Sequence, residues 1–146
     1  MLLRLPEVLK RHRNTLDAAI ILGGSNDIFK EDCDTTIPLA DTITELHNTA
    51  HALGIQTVAM TIPERGDLSK RGERERLAAN KAIARYAKNH ANMTVFVDLA
   101  RELPMRSLSG FIRDVYWDDR VHPSKMGYRK MAQVIFEGVA KLYDDM

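Results

Sequence analysis

The chain contains little cysteine, few aromatic residues and no long apolar run. Of its 146 residues, one is a cysteine and 6% are aromatic. A single cysteine excludes an intramolecular disulfide and a cluster of thiolates around a metal ion. Cys33 stands between two aspartates, whose negative charges disfavour the thiolate that a reactive cysteine needs. We therefore expect an unreactive thiol at this position.

Charge of one sign and membrane-spanning segments are also missing. Lys and Arg number 21 against 20 Asp and Glu, which gives a formal net charge of +1. This balance produces no general attraction to nucleic acid or to an anionic membrane. The first residues lack the apolar core of a signal peptide, and no apolar run is long enough to span a bilayer. These features predict a cytoplasmic protein that binds no nucleic acid. If an upstream segment is missing, they do not predict the location.

The length and a hydrophobic content of 45% predict one domain, covering residues 1–146, with its own core. Apolar runs predict strands at residues 18–22, 55–62 and 93–99. Apolar residues at helical spacing predict helices near residues 2–9, 41–53 and 74–90, and a last helix that begins near Ser124. Residues 64–72 and 101–121 are predicted to be loops.

This alternation of strands and helices predicts an α/β fold with right-handed crossovers and a parallel sheet covered by helices on both faces. The first predicted strand is apolar at every position, which is typical of a strand buried on both faces. Ligands of open α/β sheets bind beyond the carboxyl ends of the strands. Polar residues at those ends are therefore the candidates for function.

The first candidate group directly follows the first predicted strand and reads Gly23-Gly24-Ser25-Asn26-Asp27. Glycine permits a sharp turn of the backbone, and the side chain of Asn26 offers an amide donor at the edge of the sheet. Asn and Asp also cap turns and helices. For this group alone, that structural role is the better account.

The second group precedes the last predicted helix and reads Asp119-Arg120-Val121-His122-Pro123. A carboxylate three residues before an imidazole can accept the Nδ1 proton, which leaves Nε2 free to act as a general base. A surface contact between Asp119 and His122 without functional consequence is the alternative, because an Asp-x-x-His pattern on its own is common.

Together and in this order, the two groups resemble the third and fifth conserved blocks of the SGNH hydrolases, also called GDSL esterases/lipases. Residues 24–27 are similar to the family's Gly-x-Asn-Asp block, and residues 119–122 to its Asp-x-x-His block. The flanking residues 116–118 and 123–128 and the two strand–helix units between the blocks fit as well. The resemblance therefore covers nearly the whole chain.

The resemblance implies a flavodoxin-like three-layer α/β/α fold and the hydrolysis of a small-molecule ester without a cofactor or a metal. In that family the Asn donates a hydrogen bond to the oxyanion, and the Asp and His are the acid and base of a Ser-His-Asp triad. The resemblance thus implies catalytic roles for Asn26, Asp119 and His122. The residues expected to bind the substrate are Gly24, Ser25 and Trp117.

The family's nucleophile block, Gly-Asp-Ser, and the glycine of its second block have no counterpart here. None of the five serines follows a Gly-Asp pair, and Gly66-Asp67-Leu68-Ser69, with one residue too many and in the wrong chain order, is interpreted as a turn. The chain is therefore predicted to be the C-terminal two-thirds of the family fold, without its first strand or strands. Residues 18–22 would then form an exposed apolar edge, through which the chain is predicted to self-associate.

Other interpretations remain open. A non-catalytic remnant or small-ligand-binding module on the same fold would explain the absent serine block. An unrelated nucleotide-binding domain is disfavoured, because no glycine-rich phosphate loop with its lysine is present. His47 and His51 have the i, i+4 spacing of a metal pair, but without a third ligand we expect exposed helix histidines. Core packing accounts for Trp117 as well as substrate binding does.

Overall fold

The computed structural model describes residues 4–29 and 38–143. Within these ranges the chain forms one sheet of three parallel strands in the order β1 (Ala18–Ile21), β2 (Gln56–Met60) and β3 (Thr94–Val97). The predicted parallel α/β sheet is confirmed. Cys33 lies outside the described residues, so its unreactive thiol stays a prediction.

Six α-helices accompany the sheet in the described part of the chain. They are α1 (Leu5–His12), α2 (Leu39–His51), α3 (Lys70–Asn89), α4 (Leu99–Glu102), α5 (Gly110–Tyr116) and α6 (Lys125–Ala140). A short 3₁₀ helix over Asp27–Phe29 follows β1. None of the described helices combines the length and the apolar composition needed to cross a bilayer.

β2 lies at the centre of the sheet, and its side chains alternate between two helical layers. Ala59 packs with Ile43 of α2 and Ile83 of α3 on one face. Val58 and Met60 point to the other face, where α6 covers them. Because both faces are covered, the strand is apolar at successive positions. This arrangement confirms the three-layer α/β/α fold that the resemblance implies.

Serine hydroxyls cap the N-termini of α3 and α6. Ser69 accepts a hydrogen bond from the N–H of Gly72 (3.1 Å), so α3 begins at Lys70 and not at the predicted Arg74. The hydroxyl of Ser124 accepts from two N–H groups in the first turn of α6 (3.2 Å each). The predicted start of the last helix is therefore confirmed.

Two other predictions about element boundaries are wrong. α2 begins at Leu39, so Asp41 lies in its first turn and Pro38 occupies the N-cap. Residues 101–121, predicted to be a loop, contain the end of α4 and all of α5. Helices of four and seven residues are too short to produce a recognisable apolar period, and α5 buries none of its residues.

The prediction that the first strand is buried on both faces is wrong for one of them. Ile21 is buried, but the neighbouring Ile20 and Leu22 are 52% and 38% exposed. The helix on that face, α6, packs against β3, the strand at the opposite edge of the sheet from β1. β1 is thus an edge strand of the described sheet, with one apolar face open to solvent.

Candidate active site

The loop that carries Asp119 and His122 is closed at its base by backbone pairing. An antiparallel bridge joins Trp117 to Pro123, and the N–H of Asp118 donates to the carbonyl of His122 (2.9 Å). The two ends of the loop are therefore held together, which fixes the spacing of Asp119 and His122 between them.

Gly127, in the first turn of α6, lets the helix lie directly against this loop. A Cβ at this position would collide with the carbonyl oxygen of Tyr116 and would lie 2.9 Å from the Cβ of Pro123. The same carbonyl accepts a hydrogen bond from the N–H of Ser124 (2.9 Å). The loop and the start of α6 therefore form one packed unit.

Asp119 makes three hydrogen bonds within the loop. Its Oδ1 accepts from the backbone N–H groups of Val121 and His122 (2.6 Å each), and its Oδ2 lies 2.8 Å from Nδ1 of His122. An ionised carboxylate only accepts, so Nδ1 carries the proton and Nε2 of the neutral ring presents a lone pair. This is the arrangement that a general base requires.

These hydrogen bonds keep Asp119 ionised. They lower the pKa of its carboxyl from 3.8 to about 2, mainly through the side-chain bond from His122 and then through the two backbone N–H groups. The side chains of His122 and Asp119 are 68% and 54% exposed. Solvent therefore screens their attraction, and the pair fixes geometry more than it stabilises the fold.

Asn26 lies in the turn that follows β1. Gly24 has a φ of +93°, which favours glycine, and a Cβ on it would lie 2.9 Å from the side chain of Ile62. The N–H of Asp27 donates to the carbonyl of Gly24 (3.1 Å), and the buried Ile28 anchors the 3₁₀ helix beyond. The exposed side chain of Asn26 thus stands on a turn that is fixed at both ends.

The loop between β2 and α3 connects the two candidate groups. Arg65 donates to the carbonyl of Ser25 (3.1 Å), to its hydroxyl (3.3 Å) and to Oδ1 of Asn26 (3.4 Å). The N–H of Gly66 donates to the carbonyl of Arg120 (2.7 Å), whose guanidinium donates back to the carbonyl of Gly66. The sequence did not indicate a role in the site for Arg65 or for Gly66, because their partners lie 40 and 54 residues away.

The turn with Asn26 and the loop with Asp119 and His122 both contribute residues to one cavity of about 390 Å³ at the carboxyl edge of the sheet, but Asp119 and His122 are not among the residues that line it. Gly24, Ser25 and Asn26 form its wall on the β1 side. Val121 and Pro123, the two neighbours of His122, form its wall on the α6 side. The fold thus brings residues that lie about a hundred positions apart to the same opening.

Trp117 takes part in both the core and the cavity. It is 3% exposed, packs with Leu103 and Met105, and donates from Nε1 to the carbonyl of Pro104 (3.0 Å). Its indole also lines the 390 Å³ cavity and a second, polar cavity of about 690 Å³ that includes Asp119. The position of the side chain is therefore fixed by the core, while one part of it is presented to the site.

The predicted exposure of His47 and His51 is wrong. His47 is 1% exposed and His51 is half-buried, because both rings lie between α2, α3 and the sheet. Nδ1 of His47 and Nε2 of His51 lie 2.9 and 3.1 Å from the hydroxyl of Thr57. In residues 4–29 and 38–143, no three His, Cys, Asp or Glu side chains gather as a metal site would require.

Comparison with known proteins identifies relatives of the fold. The model of the GDSL-like lipase/acylhydrolase family matches residues 1–130. A GDSL-like lipase from Bacteroides thetaiotaomicron has a similar structure, with a TM-score of 0.70 and 24% identity over 96% of this chain and 69% of that chain. A catalytic mutant of an acetylxylan esterase from Geobacillus stearothermophilus is also similar, with a TM-score of 0.62 and 20% identity over 92% of this chain and 67% of that chain. No curated protein matches the sequence.

The similar structures agree with the three-layer fold and its parallel sheet. The family match covers most of the chain, including the turn with Asn26 and the loop with Asp119 and His122. The chain belongs to the GDSL-like lipase/acylhydrolase family.

Proposed function

We propose that this chain supplies the acid–base pair and an oxyanion donor for the hydrolysis of a carboxylic ester. Nε2 of His122 takes the proton from the serine hydroxyl of a Gly-Asp-Ser block, which these 146 residues do not contain, as that oxygen attacks the ester carbonyl. Asn26 donates a hydrogen bond to the oxyanion that forms, while Asp119 holds the imidazolium. The tetrahedral intermediate collapses when His122 gives the proton to the leaving alkoxide. Water then attacks the acyl-enzyme in the same way and releases the acid.

The observation that carries the proposal is the geometry of Asp119 and His122 beside the cavity that Asn26 lines. The 2.8 Å contact fixes the proton on Nδ1 and leaves Nε2 available as the base. The family's Gly-Asp-Ser block does not occur in these 146 residues. The proposal therefore assigns to this chain the acid–base and oxyanion half of the reaction.

The cavity favours a small or medium acyl ester as the substrate. Trp117, Val121 and Met131 give it an apolar wall, whereas Gly24 and Ser25 lie at the Asn26 end. An acyl group is apolar along its chain and polar at its carbonyl. Its chain therefore fits the apolar wall of the cavity, and its carbonyl fits the Asn26 end. Gly24, Ser25 and Trp117 are accordingly proposed as substrate-binding residues.

A small-ligand-binding module is the second candidate function, favoured by the absence of a Gly-Asp-Ser block from the sequence. Such a module would use the same cavity but would gain nothing from binding a tetrahedral anion more tightly than a neutral ester. An active site is complementary to the transition state and does prefer the tetrahedral form. This difference in preference separates the two functions.

Methyl butylphosphonate tests the proposal, because it is a stable tetrahedral anion with the shape of the intermediate of methyl pentanoate hydrolysis. We expect it to shift the NMR signals of the Asn26 side-chain amide and the His122 ring with one dissociation constant. Its affinity should exceed that of methyl pentanoate at least tenfold, and Asn26→Ala should weaken its binding about tenfold, the value of about one hydrogen bond.

Asn89→Ala is the matched control, since Asn89 is exposed at the far end of α3. It should leave the affinity for the phosphonate unchanged. Equal affinities for the phosphonate and the neutral ester would favour the binding module. Shifts at Asn26 and His122 that follow different dissociation constants would contradict a shared site.

A further inference from the structure

Arg65 lies at the junction of the two groups that form the proposed active site. Its side chain is only 11% exposed. Its Nε and Nη2 donate to the two carboxylate oxygens of Asp67 at 3.1 and 3.0 Å. The side-chain hydrogen bond from Arg65 is the main cause that lowers the pKa of the Asp67 carboxyl. This two-point contact with Asp67 fixes the plane of the guanidinium.

The remaining nitrogen of Arg65, Nη1, points to the turn after β1. It donates to the carbonyl and hydroxyl of Ser25 and, at the longest of the three distances, 3.4 Å, to Oδ1 of Asn26. A guanidinium has donors and no acceptor, so it selects the oxygen of the Asn26 amide. Nδ2 of the amide is thereby turned away from Arg65, and Nδ2 is the atom that an oxyanion needs.

The residue after Arg65 ties the same loop to the other half of the site. Gly66 and Arg120 exchange two hydrogen bonds, and Arg120 lies between Asp119 and His122 in the sequence. A Cβ on Gly66 would lie 3.2 Å from the side chain of Arg120 and from Sδ of Met105, so a larger residue would push the two loops apart.

We infer that Arg65 is a positioning residue of the proposed active site, because it fixes the side-chain amide of Asn26 with Nδ2 free to donate. The loop that carries it also holds that amide in register with the Asp119–His122 loop through Gly66. The inference rests on the proposed function, in which Asn26 is an oxyanion donor. Lysine cannot reproduce the role fully, since it lacks the planar fork that binds Asp67 and the Asn26 turn together.

The test reads the state of the Asn26 side chain in the protein without ligand. In the wild type we expect the Asn26 Nδ2 group to be ordered, with a heteronuclear NOE close to that of the neighbouring backbone. Arg65→Met should make this amide mobile, and Arg65→Lys should restore part of its order. Arg71→Met is the matched control, because Arg71 makes an exposed i, i+4 pair with Glu75 on α3. An ordered Asn26 amide in a folded Arg65→Met variant would overturn the inference.

A role of Arg65 in stability alone would lower the free energy of unfolding without changing the order of the Asn26 amide. If Arg65→Met does not fold, Asp67→Asn takes its place, since it removes the charge that orients the guanidinium and leaves Arg65 present. Intermediate mobility of the Asn26 amide is then expected, and wild-type order would again overturn the inference.

The affinity for methyl butylphosphonate provides the second readout. Arg65→Met should weaken binding about tenfold, and Arg65→Lys by less, while the ring of His122 still responds to the ligand. A wild-type chain that does not bind the phosphonate would contradict the proposed function. The amide measurement without ligand would still decide whether Arg65 positions Asn26, so the two failures are distinguishable.

Discussion

His47 shows how one buried side chain sets the response of this protein to acid. Its Nδ1 is paired with the hydroxyl of Thr57, but its Nε2 has no hydrogen-bond partner among the described residues. Burial, followed by the charges of His51 and His90, lowers the pKa of His47 from 6.5 to about 4. The ring of Tyr86 packs beside it, with 5.3 Å between the two ring centroids. The folded state therefore holds this imidazole in its neutral form.

We expect the protein to lose stability as the pH falls from about 6.5 toward 4. In this window the unfolded chain protonates His47 and the folded chain does not, so acid favours the unfolded state. Between pH 7.5 and pH 5 the loss attributable to this group is roughly 2 kcal/mol. The pKa of His51 is lowered as well, mainly by burial, and changes the stability in the same direction. Urea unfolding at the two pH values measures the difference.

A pair of histidine variants isolates this effect. His47→Gln should flatten the dependence of the unfolding free energy on pH, even though it lowers stability at neutral pH. His12→Gln, at the exposed end of α1, should leave that dependence unchanged. If the His47→Gln variant kept the full slope between pH 7.5 and pH 5, the assignment to His47 would be wrong.

Single residues were predictable from the sequence where a short pattern fixes their geometry. Asp119 and His122 are three residues apart, and the loop between them turns that spacing into the 2.8 Å contact. Arg65 belongs to no such pattern, because its hydrogen-bond partners lie in a turn 40 residues earlier in the chain. The exposure predicted for His47 is wrong because this residue lies on the same helical stripe as the buried Ile43 and Ala50, and the polarity of its side chain does not decide which face of α2 it occupies.

At the scale of elements, the start of α3 gives a structural role to Ser69, the serine whose preceding residues imitate the family's nucleophile block. The hydroxyl of Ser69 accepts from the N–H of Gly72 and caps the helix. We expect Ser69→Ala to lower the free energy of unfolding by about 1 kcal/mol, the usual value of such a cap. Chemical denaturation measures this loss.

Ser109 offers the matched comparison for this prediction. It occupies the N-cap of α5, but its side chain makes no capping hydrogen bond there. Ser109→Ala should therefore change the stability by less than about 0.5 kcal/mol. Equal losses for the two variants would show that the Ser69 hydroxyl does not cap α3 in solution.

The alternation of elements was predictable because each strand is a compact apolar run and each long helix has a periodic apolar stripe. β2 and α6 satisfy both the local pattern and the packing, so their existence follows from the sequence. α5 does not, because its seven residues leave Phe111 and Ile112 exposed and carry no stripe toward the core. The exposure of Ile20 could not be predicted either, since a run of apolar residues does not indicate which faces of the strand are covered by helices.

At the scale of the whole molecule, we expect the 146-residue chain to hydrolyse p-nitrophenyl acetate poorly. The hydroxyls of Ser25 and Ser69 accept hydrogen bonds from Arg65 and from the N–H of Gly72, and none of the hydrogen bonds of the described residues joins either serine to His122. Acceleration should stay below the roughly 10³–10⁴-fold over water that remains when members of a triad are removed. Initial rates, corrected for free imidazole at the same concentration, provide the measurement. Rapid turnover that Ser25→Ala or Ser69→Ala abolishes would contradict this expectation.

The exposed edge of the sheet leads to a prediction about association of the whole molecule. β1 pairs with β2 on one side, and in the described residues no strand pairs with its other side. Ile20 adds an exposed apolar side chain to that edge. Unpaired backbone groups beside apolar side chains recruit further strands, so we expect concentration-dependent dimers or larger species. Sedimentation velocity across the micromolar range measures them.

A charge at the edge should suppress this association. Ile20→Lys places an ammonium beside the unpaired backbone, and lysine at an edge strand opposes pairing with another chain. Ile112→Lys is the matched control, because Ile112 is 46% exposed on α5 and does not belong to the sheet. We expect Ile20→Lys to shift the distribution toward monomer and Ile112→Lys to leave it unchanged. A wild-type chain that stays monomeric at every concentration, with amides of β1 protected from exchange, would show that this edge is not a surface for self-association.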